Sequence, residues 1–236
     1  MEPPTLNPKS EIENPQLLMK VVILGSGTAV PVKERGYAGI YVRVAGEHVL
    51  LDAGPGTLKT LARLGVTYRD LDRLFLTHVH PDHCLDLVSI LFAMRIPQPA
   101  RTKPFVIYGP GGLKRLYQQL NAAFQGWIAP RDYHLTLKEL DGTMLRVDGY
   151  RVRTKRMNHS TRALGYRLEM RGTSMAYSGD TDVCDEIVEL GRHADLLILE
   201  CSMTDERKVA GHLTPTECGQ IAAATGCRHL VLTHFY

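Results

Sequence analysis

The stretch Thr77-His78-Val79-His80-Pro81-Asp82-His83 constrains this chain more than any other. Directly before it stands Leu74-Phe75-Leu76, a short apolar run that reads as a buried strand. After it, Asp82 to Met94 reads as a helix. Three imidazoles and a carboxylate therefore fall at one strand-to-helix turn. Any fold that buries the strand must present all four at one end of its sheet. Imidazole and carboxylate are donors that borderline cations such as zinc accept. On the loop, His78 and His80 can face one cation, while Asp82 and His83 can turn toward a second.

The rest of the chain reads as alternating strands and helices. Val21 to Leu24 is a buried run ending in Gly25-Ser26-Gly27; Val30 stands where a dinucleotide fingerprint needs its third glycine, so this is a tight turn. Strands are expected at 40–44 and 48–51, with a helix from Gly54-Pro55-Gly56 to about Leu64. Phe105–Tyr108 reads as a strand, and Gly109-Pro110-Gly111-Gly112 precedes a helix to about Phe124. Further strands are expected at 133–137, 150–157, 163–170, 174–178, 196–199 and 230–232, with a helix at 184–190. Thr214-Pro215-Thr216-Glu217 is a capping box for a helix that stops at Gly226. A weak echo links 73–78 to 228–234, and 49–52 to 176–180, each half delivering an Asp and a His at a strand end. The start, residues 1–19, is polar and Pro-rich and reads as a disordered extension, leaving 20–236 as one ordered domain.

Composition removes several classes. With 44% hydrophobic and 22% charged residues, the chain is neither disordered nor fibrous. It contains no apolar stretch of about 18 residues, so no membrane partner is expected. Five cysteines (Cys84, Cys184, Cys201, Cys218, Cys227), odd in number and without a CxxC pair, read as reduced thiols of a cytoplasmic protein. A net charge of +3 permits a phosphate-rich partner without requiring one. Arg151, Arg153 and Lys155 alternate along one strand face that leads toward His159. They are candidates to meet a polyanion, against the plainer reading of a charged edge strand.

From Lys20 to Tyr236 the chain resembles the metallo-β-lactamase superfamily, and within it ribonuclease Z and its relatives. The resemblance is carried by Leu24 to Pro31, Asp52, the HxHxDH at 78–83, His159, Ser178-Gly179-Asp180-Thr181, Glu200-Cys201, Gly211-His212-Leu213-Thr214 and Leu232-Thr233-His234. It implies an α/β fold, the αββα four-layer sandwich, in a single domain. It also implies two Zn2+ ions, with Mn2+ or Fe2+ as alternatives. His78, His80 and His159 would hold the first; Asp82, His83 and His234 the second; Asp180 would bridge them. Asp52 would orient the site by accepting an imidazole N–H. Catalysis would fall to Asp82, His212 and Glu200. A hydroxide shared by the two ions would attack a phosphodiester in line, His212 would assist the departing oxygen, and Glu200 would orient His212.

The chain departs from that family in two places. Enzymes of this branch that process tRNA precursors extend a Gly/Pro-rich arm between the third and fourth motifs, whereas His159 to Asp180 reads here as two strands and a turn at Arg171-Gly172. The sequence also stops two residues after His234, where relatives continue with another strand and helix, which reads either as a shortened version or as a sequence incomplete at that end. The expected function is a metal-dependent phosphodiesterase acting on RNA 3′ ends, with tRNA processing as its specific form. The alternative is a small-molecule hydrolase cleaving a cyclic phosphodiester, an aryl sulfate or a lactone. A catalytically dead binding module is disfavoured by the complete ligand set, and a redox di-iron protein by His80 standing where Glu is expected. A homodimer is compatible with the resemblance.

Overall fold

Leu71–Phe75, the strand ahead of the histidines, is buried on both faces, with Leu74 turned to one apolar cluster and Phe75 to another. A strand covered on both sides demands layers above and below it. The computed structural model describes residues 19–96 and 98–236. The expectation for the N-terminal extension falls outside these residues, apart from Met19, which already belongs to the first strand.

Six strands form the first sheet in sequential order: β1 (Met19–Gly25), β2 (Gly39–Val44), β3 (Glu47–Leu51), β4 (Leu71–Phe75), β5 (Phe105–Pro110) and β6 (Leu135–Leu140). Its first three strands are antiparallel; β3 to β6 run parallel. The second sheet holds β7 (Met144–Val147), β8 (Tyr150–Met157), β9 (Ala163–Met170), β10 (Thr173–Tyr177), β11 (Leu196–Glu200) and β12 (His229–Thr233). There β7 to β10 are antiparallel and β10 to β12 parallel. Each sheet is therefore mixed, with an antiparallel and a parallel half.

Three apolar clusters correspond to the three gaps between four layers. One packs helices α1 (Thr57–Arg63), α2 (Pro81–Cys84), α3 (Asp86–Arg95) and α4 (Leu113–Ala123) onto the first sheet through residues such as Leu61, Leu87, Ile90 and Leu113. A second fills the space between the sheets, with Val42, Val49 and Phe75 meeting Val152, Tyr166 and Ile198. The third seats α5 (Asp185–Gly191) and α6 (Pro215–Thr225) on the second sheet through Ile187, Leu190 and Ile221. This is the αββα sandwich that the resemblance implied.

The hairpins have local causes. Ala45-Gly46 and Arg171-Gly172 both take positive φ, the turn that lets two residues join twisted antiparallel strands. The Arg171-Gly172 turn joins β9 directly to β10, so no arm projects between them. Strand β7 is absent from the sequence reading, although Asp148-Gly149 marks its two-residue hairpin into β8. Because β7 pairs with β8, the arginine-bearing strand is not an edge, contrary to the plainer expectation. The helix expected over 82–94 is divided at Leu85 into α2 and α3.

Candidate metal centre

Six of the segments singled out above end at the same end of the sandwich. Asp52 follows β3, and Thr77-His78 follows β4. His159 lies two residues past β8, and Asp180 three past β10. Glu200 closes β11, and His234 follows β12. Carboxyl ends of strands in an open sheet form a crevice where backbone no longer occupies the space. Backbone contacts fix the histidine loop there: Ala53 N–H donates to His83 O at 2.7 Å, and Asp86 N–H to Ala53 O at 2.9 Å. Gly54 makes this approach possible, since a Cβ at that position would stand 2.1 Å from Asp82 O.

Two sets of donors converge. In the first, His80 Nδ1 lies 3.1 Å from His78 Nε2 and 3.3 Å from His159 Nε2. Asp180 Oδ2 borders this set, 3.7 Å from His78 Nε2 and 3.9 Å from His159 Nε2. In the second, His83 Nε2 and His234 Nε2 stand 3.1 Å apart, with Asp82 Oδ2 3.4 Å from His234 Nε2. Asp180 Oδ1 faces this second set, 3.3 Å from His83 Nε2 and 3.5 Å from His234 Nδ1. The donor atoms of His78, His80, His159 and Asp180 all lie within 4.8 Å of one another, as do those of Asp82, His83 and His234. A third grouping at this distance joins Asp180, His212 and His234.

The chemistry of these donors fits a cation. His159 Nδ1–H donates to Gly211 O at 2.9 Å, so its Nε2 carries a lone pair. Thr77 Oγ1 donates to Asp52 and therefore accepts from His78 Nδ1–H at 2.9 Å, leaving His78 Nε2 likewise bare. Both lone pairs point at His80 Nδ1. Burial, then the neighbouring His83, holds His78 well below the usual imidazole range, which keeps that lone pair free. Asp180 Oδ1 is buried without a hydrogen bond, a costly state for a carboxylate that lacks a counter-charge. Burial opposes charge on both Asp180 and His83. Their mutual attraction nonetheless holds Asp180 well below and His83 well above its ordinary range, with Asp52 adding to the latter.

Asp52 is fully buried and accepts from Thr77 N–H at 2.7 Å, Thr77 Oγ1, Tyr177 OH at 3.0 Å and His83 Nδ1–H at 2.8 Å. It therefore aims His83 Nε2 at the second set. Asp52 and His234 both hold φ near +60°, a region that Asp and His visit more readily than most side chains.

Beside the second set, Glu200 Oε1 accepts from His212 Nδ1–H at 2.9 Å and from Thr181 N–H at 3.1 Å. Burial disfavours the His212 cation, but the Glu200 hydrogen bond and charge, with Asp180, raise its pKa above the ordinary imidazole value. Ser202, which the sequence reading missed, donates Oγ–H to Glu200 Oε2 at 2.7 Å and lies 2.8 Å from His234 Nδ1. Thr77 and Tyr177 were missed as partners of Asp52. Spacing hints existed only for Ser202, two residues after Glu200 at a strand end, and for Thr77 next to His78.

Arg151, Arg153 and Lys155 stay apart from the two donor sets. They project from β8 on the side away from the sheet interface, where Arg151 and Arg153 each lie 3.4 Å from Glu169 and Lys155 pairs with Glu189.

A sequence profile described as the beta-lactamase superfamily domain matches residues 47–235. Ribonuclease Z of Methanothermobacter thermautotrophicus is 28% identical, covering 92% of this chain and 86% of the relative; that of Pyrococcus horikoshii is 29% identical at the same coverage. The first alignment runs over 270 positions, more than the 236 residues of this chain, so the relative carries insertions here absent. The crystal structure of the short form of human tRNase Z superposes with a TM-score of 0.79 at 27% identity, covering 91% of this chain and 92% of that one. The metallo-beta-lactamase fold protein YhfI from Bacillus subtilis also gives 0.79, at 24% identity, over 92% of this chain and 86% of its own. The two His/Asp clusters, carried on this sandwich, are those of a metal-dependent hydrolase. With its fold, its paired donor sets and a profile match across most of its length in agreement, the chain belongs to the metallo-β-lactamase superfamily.

Proposed function

We propose that the protein is a dinuclear metal phosphodiesterase acting on RNA 3′ ends, of the kind that processes tRNA precursors, with zinc as its metal. The observation that carries this reading is the convergence of seven His and Asp side chains into two donor sets, with His212 and Glu200 beside them. His78, His80 and His159 would hold one ion, Asp82, His83 and His234 the other, and Asp180 has one oxygen toward each. Two such ions, when bound, lower the pKa of a shared water toward about 7 and stabilise charge on the attacking and leaving oxygens of an in-line displacement.

The chain's own residues supply the rest. Asp52 fixes the His83 ring; Asp82 and Asp180 bring the negative charge that concentrates cations at this end. His212 gives its proton to the departing alkoxide, and Glu200 holds the ring by Nδ1 so that Nε2 does the donating. Zinc suits an imidazole-rich set, although manganese and iron accept the same donors. A cytoplasmic place of action suits five thiols that form no disulfide. A homodimer belongs to the same reading.

One observation favours a smaller substrate. The tight Arg171-Gly172 hairpin leaves no arm to grip a folded RNA, and Arg151, Arg153 and Lys155 already face carboxylates. The second reading is thus a small-molecule hydrolase on the same scaffold, cleaving a cyclic phosphodiester, an aryl sulfate or a lactone. Turnover of bis(p-nitrophenyl) phosphate, a lactone and a tRNA precursor with a 3′ trailer separates the readings. Cleavage of the precursor at its 3′ side supports the first. Cleavage of the aryl phosphodiester or of the lactone without the precursor supports the second, and turnover of none of the three overturns both readings.

A further inference from the structure

We infer that Ser202 is a positioning residue whose hydroxyl fixes the tautomer of His234 and locks the His212–Glu200 pair to the same metal group. This rests on the two-metal reading above. A hydroxyl has one proton to give and two lone pairs to receive. Ser202 gives its proton to Glu200 Oε2 at 2.7 Å, an oxygen that also accepts Ser202 N–H at 3.0 Å. Its lone pairs are then what faces His234 Nδ1 at 2.8 Å, so that nitrogen must carry the hydrogen. The remaining polar neighbour, Asp180 Oδ1 at 3.5 Å, makes no hydrogen bond. With Nδ1 protonated, the lone pair of His234 lies on Nε2, which looks at His83 Nε2 and Asp82 Oδ2. Ser202 thereby does for His234 what Asp52 does for His83.

The same oxygen lies 3.2 Å from His212 Nδ1, whose N–H is shared with Glu200 Oε1. The rings of His212 and His234 are within 10° of parallel, with centroids 6.0 Å apart. One buried hydroxyl thus sets the register between a metal-holding imidazole and the proton-donating one. The backbone maintains that register: Cys201 N–H donates to Thr233 O at 2.8 Å, which ties the residue before Ser202 to the residue before His234.

Zinc titration of metal-free wild type, Ser202→Ala and Ser202→Thr tests this. The wild type takes up two ions. In Ser202→Ala the first binds as before and the second about 10- to 100-fold more weakly, the usual effect of removing an outer partner of a ligating imidazole. Ser202→Thr, which keeps the hydroxyl, restores wild-type affinity. Equal affinity of Ser202→Ala and wild type for both ions overturns the inference and leaves the two-metal reading standing. A wild type that never takes up a second ion overturns that reading and the inference with it. Should Ser202→Ala fail to fold, the imidazole 15N spectrum of zinc-loaded wild type gives the answer directly. His234 is expected to bind metal through Nε2 and keep hydrogen on Nδ1; metal on Nδ1 overturns the assignment.

Discussion

At the residue scale, the side chains at the candidate metal centre are aimed by hydrogen-bond partners, one adjacent in the chain and the others 12 to 52 residues away. Asp52 aims His83, Thr77 aims His78, the Gly211 carbonyl aims His159, and Glu200 aims His212. His212 gives this arrangement a pH signature. Burial alone would lower its pKa, but Glu200 raises it, so the folded protein favours the protonated ring. That contribution to stability is fully present below about 6.5, the unfolded value, and is lost as pH rises through the folded one. In the general-acid role proposed for it, His212 works only while protonated, so turnover is expected to fall on the alkaline side across the same raised pKa. Replacing Glu200 by Gln moves that limb toward acid. Replacing His212 by Ala abolishes it and lowers kcat about 10²–10⁴-fold while metal content is unchanged. Loss of metal together with activity in His212→Ala would make His212 a ligand, a possibility kept in view by its place in the third donor grouping.

At the element scale, close backbone approach does as much as hydrogen bonding. The loop after β3 lies against α2 because Gly54 has no side chain; a Cβ there would also stand 2.8 Å from Ala38 O. Backbone on both sides leaves no flexible group to yield. Gly54→Ala is therefore expected to cost about 3 kcal/mol or more, lowering the thermal midpoint by roughly 6–12 °C in a chain of this size. An unchanged melting curve would show that this contact is not rigid. Elements with their own signal were legible in the sequence. The strand at 150–157 alternates, and α6 is announced by its capping box, which forms with Glu217 Oε2 2.9 Å from Thr214 N. Strand β7 was not legible, because its four residues are half exposed and acquire their pairing only from β8. The division of the helix at Leu85 was equally hidden, since it arises where Ala53 and Asp86 meet across the loop.

At the scale of the whole molecule, the two sheets mirror one another in plan. Each delivers an Asp and a His from its parallel half: Asp52 and His78 from the first, Asp180 and His234 from the second. This is the arrangement that the short sequence echo suggested. The four donors at 78–83 were legible as a compact motif at a strand end, whereas His159, Asp180 and His234 were named only through the family resemblance. Of the outer partners, Asp52 and Glu200 came with the resemblance, whereas Tyr177 and Ser202 did not, because the Tyr177–Asp52 bond spans 125 residues and follows from how the sheets stack, which no local periodicity encodes. The central claim is that these separated strand ends jointly hold two metal ions. The direct test is metal stoichiometry of the zinc-saturated, folded protein after removal of loosely held ions, measured by inductively coupled plasma mass spectrometry. Two ions per chain are predicted; a folded chain that retains none would contradict the account.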